Sequence, residues 1–229
     1  MSADQPITQM DLLRWAESLA GIARTGLGFT SSVYERERFE EILHVAADIR
    51  AQAHRTHDPA QLVDEWLVSV GDGVAGYVTP KVAVGAVVGD DRGRILLIQR
   101  ADSGIWLYPT GWADIGYSPA EVAIKEVREE TGIDCEVRGL LGVFDGLRLG
   151  FSRTPLYSLV FHCHAVGGEL SPHPLECLDA AWFEPDALPE PLASAGQWSD
   201  HALRAIRGED VGVLYDLPRA NVWDALTDP

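Results

Sequence analysis

The apolar residues of this chain change their period once, near residue 80, and that switch limits the fold more than any other feature of the sequence. Before it the spacing is helical. Leu12, Leu13, Trp15, Leu19 and Ile22 predict a helix from Met10 to Gly26, with Gly26 as its stop, and Phe39, Ile42, Leu43 and Ala46 predict a second from Tyr34 to Ala53. Asp58-Pro59 sets a capping carboxylate before a proline in the first turn, opening a short third helix through Leu67. After the glycine-rich stretch Gly71 to Pro80 the pattern is strand-like. Val82–Val88 and Ile95–Ile98 flank a Gly-Asp-Asp-Arg-Gly turn as a hairpin, and further strands are expected at Val137–Phe144, Leu156–Val166 and Ala180–Phe183, with a closing helix near His201–Arg207. The order predicts a helical domain over 1–70, a linker over 71–80, and an α+β domain over 81–210. In the last, a mixed β-sheet is sandwiched between α-helices, and a tail follows over 211–229.

Between the hairpin and the later strands lies GWADIGYSPAEVAIKEVREETGI, residues 111–133, whose helix is marked at both ends. Ser118 caps, Pro119 fits the first turn, Glu121 completes a capping box, and Gly132 provides the left-handed stop. At about 100° per residue, Ala120, Ala123, Ile124, Val127 and Thr131 share one face, while Glu126, Glu129 and Glu130 fall together on another. Like charges three and four apart cost roughly 0.2 to 0.5 kcal/mol per pair, and the C-terminal half of a helix prefers cations. Two readings follow. The carboxylates are hard oxygen ligands for a divalent cation, or they are a solvated acidic face relieved by Lys125 and Arg128.

This segment resembles the box of the Nudix hydrolase family, which runs from a glycine through a glutamate six positions later to an Arg-Glu-apolar-x-Glu-Glu-x-Gly-apolar ending. Gly111, Glu126, Val127, Glu129, Glu130, Gly132 and Ile133 are in register with it. Lys125 stands where the family usually has arginine, Tyr117 where it usually has glutamate, and Thr110 where it often has a second glycine. The helical segment from Arg14 to Ile42, followed by TPKVAVGAVV, is similar to the subgroup with an added N-terminal helical domain.

The resemblance implies a Nudix fold and metal-dependent hydrolysis of the diphosphate bond in a nucleoside diphosphate linked to another moiety, of the ADP-ribose or CDP-choline kind. It implies Mg²⁺ or Mn²⁺ as cofactor, with Glu126, Glu129 and Glu130 as metal ligands, Glu129 alternatively as the water-activating base, and a homodimer. Gly111, Lys125 and Gly132 carry structural roles in the motif, and a main-chain carbonyl at Thr110-Gly111 serves the metal. A base can instead come from the loop carrying Glu169, Glu176 and Asp179, with Glu176 the best placed. Arg100 is a candidate phosphate contact or a surface ion pair, and Tyr117 a candidate border to base or sugar, while Trp106 reads better as core.

Composition narrows the partners. A formal charge of -17 lacks the basic clusters that nucleic acid requires, so a small nucleotide is the expected substrate. No apolar run approaches the roughly 20 residues of a membrane span, and the N-terminus lacks the order of a signal peptide, so a cytoplasmic enzyme is expected. Cys135, Cys163 and Cys177 form no CxxC pair and read as reduced thiols, and His162, His164 and His173 read as structural rather than zinc-binding. A nucleoside triphosphate pyrophosphohydrolase and a nucleotide-sugar-sensing regulator are the competing functions.

Overall fold

The computed structural model describes residues 7–54, 58–68, 70, 79–114, 116–152, 154–193 and 198–218. Most of the expected linker and the end of the expected tail lie outside these residues. The chain divides into two compact units between Thr79 and Pro80.

The first unit holds α1 (Gln9–Phe29), α2 (Val33–His54) and α3 (Pro59–Leu67). Thr8 and Asp11 form a capping box at the start of α1, and the Asp58 carboxylate accepts from the Ala60 amide at 3.0 Å at the start of α3. Gly26 does not stop α1, contrary to the sequence expectation. The helix continues for another three residues, and the missing Cβ serves packing: one built there would meet the Phe39 ring at 2.2 Å. The buried stripe of α1 runs through Leu13, Ala16, Ala20, Ala23 and Leu27, and Ile22 is exposed. Alanines at the contact let α1 and α2 approach closely, so the larger apolar residue was the wrong guide to the buried face. Arg50 and Glu17 form a buried ion pair within this unit.

The second unit is built on one mixed sheet. Its strands are β1 (Lys81–Gly89), β2 (Ile95–Arg100), β3 (Trp106–Leu107), β4 (Thr110–Trp112), β5 (Ile133–Asp145), β6 (Leu156–Gly168), β7 (Cys177–Phe183) and β8 (Leu214–Tyr215). The order is β3-β2-β1-β6-β5-β8, with β4 paired to β1 and β7 to β2. β1 lies parallel to β6 and antiparallel to β2 and β4. Helix α4 (Pro119–Thr131) packs through Val122, Ala123 and Val127 onto Val84, Ala86 and Val88, while α5 (Trp198–Ile206) packs through Ala202 and Leu203 near Val87 and Leu97. The sheet is thus sandwiched between helices, as the sequence predicts.

Strands β3, β4 and β8 have two or three residues, too few to show a period, and were not anticipated. β5 starts four residues earlier than expected, because its bulges between Asp134 and Gly142 break the alternation. The three cysteines are free and buried. Among the described residues no helix is long and apolar enough to cross a membrane.

Candidate active site

Helix α4 has the ends that its sequence specifies. The Ser118 amide donates to Glu121 at 2.6 Å, the Glu121 amide donates to the Ser118 hydroxyl at 3.3 Å, and Gly132 adopts φ 75°. A Cβ at Gly132 would also strike the Glu169 carbonyl at 2.4 Å, so backbone conformation and close approach both demand glycine.

The buried face differs from the expected one. Val122, Ala123, Glu126, Val127, Glu130 and Thr131 are buried, Ala120 is partly buried, and Ile124 is 39% exposed. The helix turns Val122 rather than Ile124 onto the sheet, which carries Glu126 and Glu130 inward. Glu129 stays exposed, at the solvent edge of the same side of the helix.

Strand β4 receives the two inward carboxylates. Glu130 is 4% exposed and accepts from the Thr110 amide at 2.8 Å. Glu126 lies against Gly111, where an added Cβ would fall 2.3 Å from its carboxylate carbon. Gly111 pairs with Val84 of β1, and the Thr110 hydroxyl donates to the Val84 carbonyl at 2.9 Å. Threonine at the family's second glycine position therefore leaves the strand path intact.

The electrostatics follow from burial. Desolvation pushes the Glu130 carboxyl up to about 8; Glu126 and Glu176 push the same way, against the Thr110 amide and Arg100. Glu126 is also raised, first by burial, with Lys125 opposing and Glu129, Glu176 and Asp114 adding to the shift. Glu176 is exposed yet close enough to act on both. Its loop is pinned by backbone: the His173 amide donates to the Glu130 carbonyl at 3.1 Å, and the Ala101 amide to the Glu176 carbonyl at 2.8 Å.

Arg100 lies near Glu130, but its guanidinium is engaged by Asp102 at 3.0 and 2.6 Å, so both readings of this residue have a basis. Lys125 holds Glu129 at 2.8 Å and Asp114 at 3.2 Å, with Glu126 at 4.0 Å. Asp114 is the residue that sequence reasoning missed; a carboxylate three positions before Tyr117 was the available signal.

The remaining candidates stand apart. Tyr117 is 53% exposed in the turn before α4, and no hydrogen bond joins its side chain to the glutamates among the described residues. Trp106 is core, 4.9 Å from the Phe183 ring centroid. His164 Nε2 lies 3.1 Å from Asp91, Asp179 accepts from the adjacent Ala180 amide, and Glu169 is exposed beyond β6.

In this arrangement Glu129 is turned to Lys125 and Glu130 to Thr110. Among the described residues no three His, Cys, Asp or Glu side chains are drawn together into a cation cage. The donor set still fits a hard divalent cation. Two buried carboxylates lie together, Glu126 raising Glu130, with Glu176 near enough to raise both, and all are oxygen donors whose crowding a cation offsets.

Comparison with known proteins places this geometry. Residues 79–206 match the model of the NUDIX domain, and residues 10–67 that of a UDP-X-like, N-terminal oligomerisation domain. The Bacillus subtilis protein YjhB, which carries the provisional name of an ADP-ribose pyrophosphatase, is 35% identical over 184 residues, covering 79% of this chain and 84% of its own length. An ADP-ribose pyrophosphatase of Methanocaldococcus jannaschii is 32% identical over 117 residues, 50% of this chain and 68% of that protein. The crystal structure of a UDP-X diphosphatase superimposes with a TM-score of 0.54 at 28% identity, covering 92% of this chain and 100% of that one. The glutamate-bearing helix, the glycine beneath it and these matches along both units agree: the chain belongs to the Nudix family of pyrophosphohydrolases, in its form with an N-terminal helical domain.

Proposed function

We propose that this enzyme hydrolyses the diphosphate bond of a nucleoside diphosphate linked to another moiety, of the ADP-ribose or CDP-choline kind, in a reaction dependent on Mg²⁺ or Mn²⁺. The products are a nucleoside monophosphate and a phosphorylated leaving group. The observation that carries the reading is the burial of Glu126 and Glu130 side by side behind Thr110 and Gly111. The names of the similar ADP-ribose pyrophosphatases and UDP-X diphosphatase support the conjugate class.

Glu126 and Glu130 would hold the cation, with Glu129 on the exposed side. When bound, the cation supplies charge neutralisation at the diphosphate oxygens and polarises phosphorus. Glu176, exposed and beside both glutamates, accepts the proton of the attacking water, with Glu129 the alternative base. Arg100 binds a phosphate oxygen by exchanging Asp102 for it, and Tyr117 borders the base or sugar. The chain acts as a homodimer through its N-terminal unit, a reading supported by the oligomerisation-domain match.

The test is a turnover panel of ADP-ribose, CDP-choline, UDP conjugates and nucleoside triphosphates with each metal, run in oxygen-18 water. One conjugate should dominate, a chelator should abolish its turnover, and one product phosphate should carry label. Chelator-resistant turnover would remove the metal role. Higher kcat/KM on triphosphates with release of pyrophosphate would replace the conjugate reading with the pool-cleaning one.

A further inference from the structure

Two of the departures from the family box, Lys125 and Tyr117, both neighbour Asp114, Lys125 through its ammonium and Tyr117 through its main-chain amide. Tyr117 withdraws a carboxylate from the box and is exposed. Lys125 replaces a forked guanidinium with a single ammonium on a flexible four-carbon stem, which cannot grip a carboxylate with two parallel bonds. A lysine paired only with Glu129, one turn along the same helix, would form an ordinary exposed i,i+4 pair that restrains neither side chain much.

The structure adds a second anchor. Asp114 Oδ2 lies 3.2 Å from Lys125 Nζ, which also lies 2.8 Å from Glu129 and 4.0 Å from Glu126. Asp114 belongs to a different element, the turn after β4, and its backbone is set: the Ala113 amide donates to the Val82 carbonyl at 3.0 Å, and the Asp114 carbonyl accepts from the Tyr117 amide at 3.4 Å. The ammonium therefore bridges α4 to the sheet rather than two points on one helix.

We propose that Asp114 is a positioning residue that takes over the work of the carboxylate missing at Tyr117: it fixes Lys125 against Glu129 and Glu126, and so sets the exposed edge of the metal-binding carboxylates. Asp114 acts through Lys125 and touches neither substrate nor reacting atoms. The inference rests on the metal-site reading above for its consequence, but the contact itself does not.

Because the chain has only two lysines, Lys81 and Lys125, lysine ammonium NMR on the metal-free protein resolves the contact directly. Asp114→Asn should shift and broaden the Lys125 signal and leave the Lys81 signal in place. Mn²⁺ affinity, read by electron paramagnetic resonance, should weaken about tenfold, as outer-sphere losses around a metal do. Asp114→Glu should keep the Lys125 signal near its original position, and Asp114→Asn with Tyr117→Glu should recover most of the Mn²⁺ affinity. An unchanged Lys125 signal in Asp114→Asn, or tenfold weaker Mn²⁺ binding that Tyr117→Glu does not repair, overturns the proposal. A wild-type chain that fails to bind Mn²⁺ overturns the metal reading instead, and the lysine signals still decide the contact.

Discussion

Gly111 and the Glu126 carboxylate are in direct apposition: a Cβ on the glycine would sit 2.3 Å from the carboxylate carbon. The far end of a glutamate can swing away without disturbing the core, but not without leaving its place in the site. Gly111→Ala should therefore melt within a few degrees of the parent while kcat/KM with Mg²⁺ falls on the order of a hundredfold, the usual cost of a displacement near 1 Å. Equal losses of melting temperature and activity would mean that the glycine serves the fold alone.

Glu130 makes the metal-free protein sensitive to pH. Its carboxyl is raised from 4.5 to about 8 in the folded state, so between these values the folded chain binds more proton than the unfolded one. The associated stability is fully present below pH 4.5 and is lost as pH rises through about 8. Melting in chelator should fall across this window, and Glu130→Gln should flatten the fall while abolishing most turnover. Mg²⁺ or Mn²⁺ should raise the melting temperature more at pH 8 than at pH 5. A Glu130→Gln profile parallel to the parent's would sink the assignment.

Glu176→Gln separates the two candidate bases. The loop is held by backbone bonds from Ala101 and to Glu130, so the substitution leaves its path in place. A base at this position predicts a loss of roughly a hundredfold in kcat with little change in KM. If Glu129→Gln shows that pattern and Glu176→Gln does not, the proton goes to the helix.

The N-terminal unit leaves Ile22, Val33 and Tyr34 between 60% and 83% exposed, an apolar set expected to need a partner. Val33→Glu with Tyr34→Glu should shift the mass by light scattering from dimer to monomer with helical content unchanged. A dimer that survives both charges uses another surface.

What the sequence made legible was local. Ser118, Pro119, Glu121 and Gly132 specify α4 within a few bonds of themselves, so its bounds could be read without tertiary knowledge. Which way α4 faces could not. Val122 and Ile124 are both apolar, and the choice between them depends on contacts with β5 and with β1, the latter more than thirty positions away; the same choice buries Glu126 and Glu130 and leaves Glu129 exposed. Asp114 was hidden for a related reason, since its partner lies across a turn whose path the spacing does not give. Gly26 misled because a stop and a close approach call for the same residue, and only Phe39 distinguishes them.

The two caps of α4 have a kinetic consequence. Both helix ends are satisfied by the chain's own groups, Ser118 with Glu121 at one and Gly132 with Arg128 at the other, and none of these bonds involves Glu126, Glu129 or Glu130 as a side chain. The ends of the acidic helix are thus closed without a cation. If the proposed cation binds there, its loading and unloading should run at the speed of ligand exchange and side-chain rotation, without waiting for a helix to form. A cation diluted away and restored should return full turnover within the mixing time of a stopped-flow instrument.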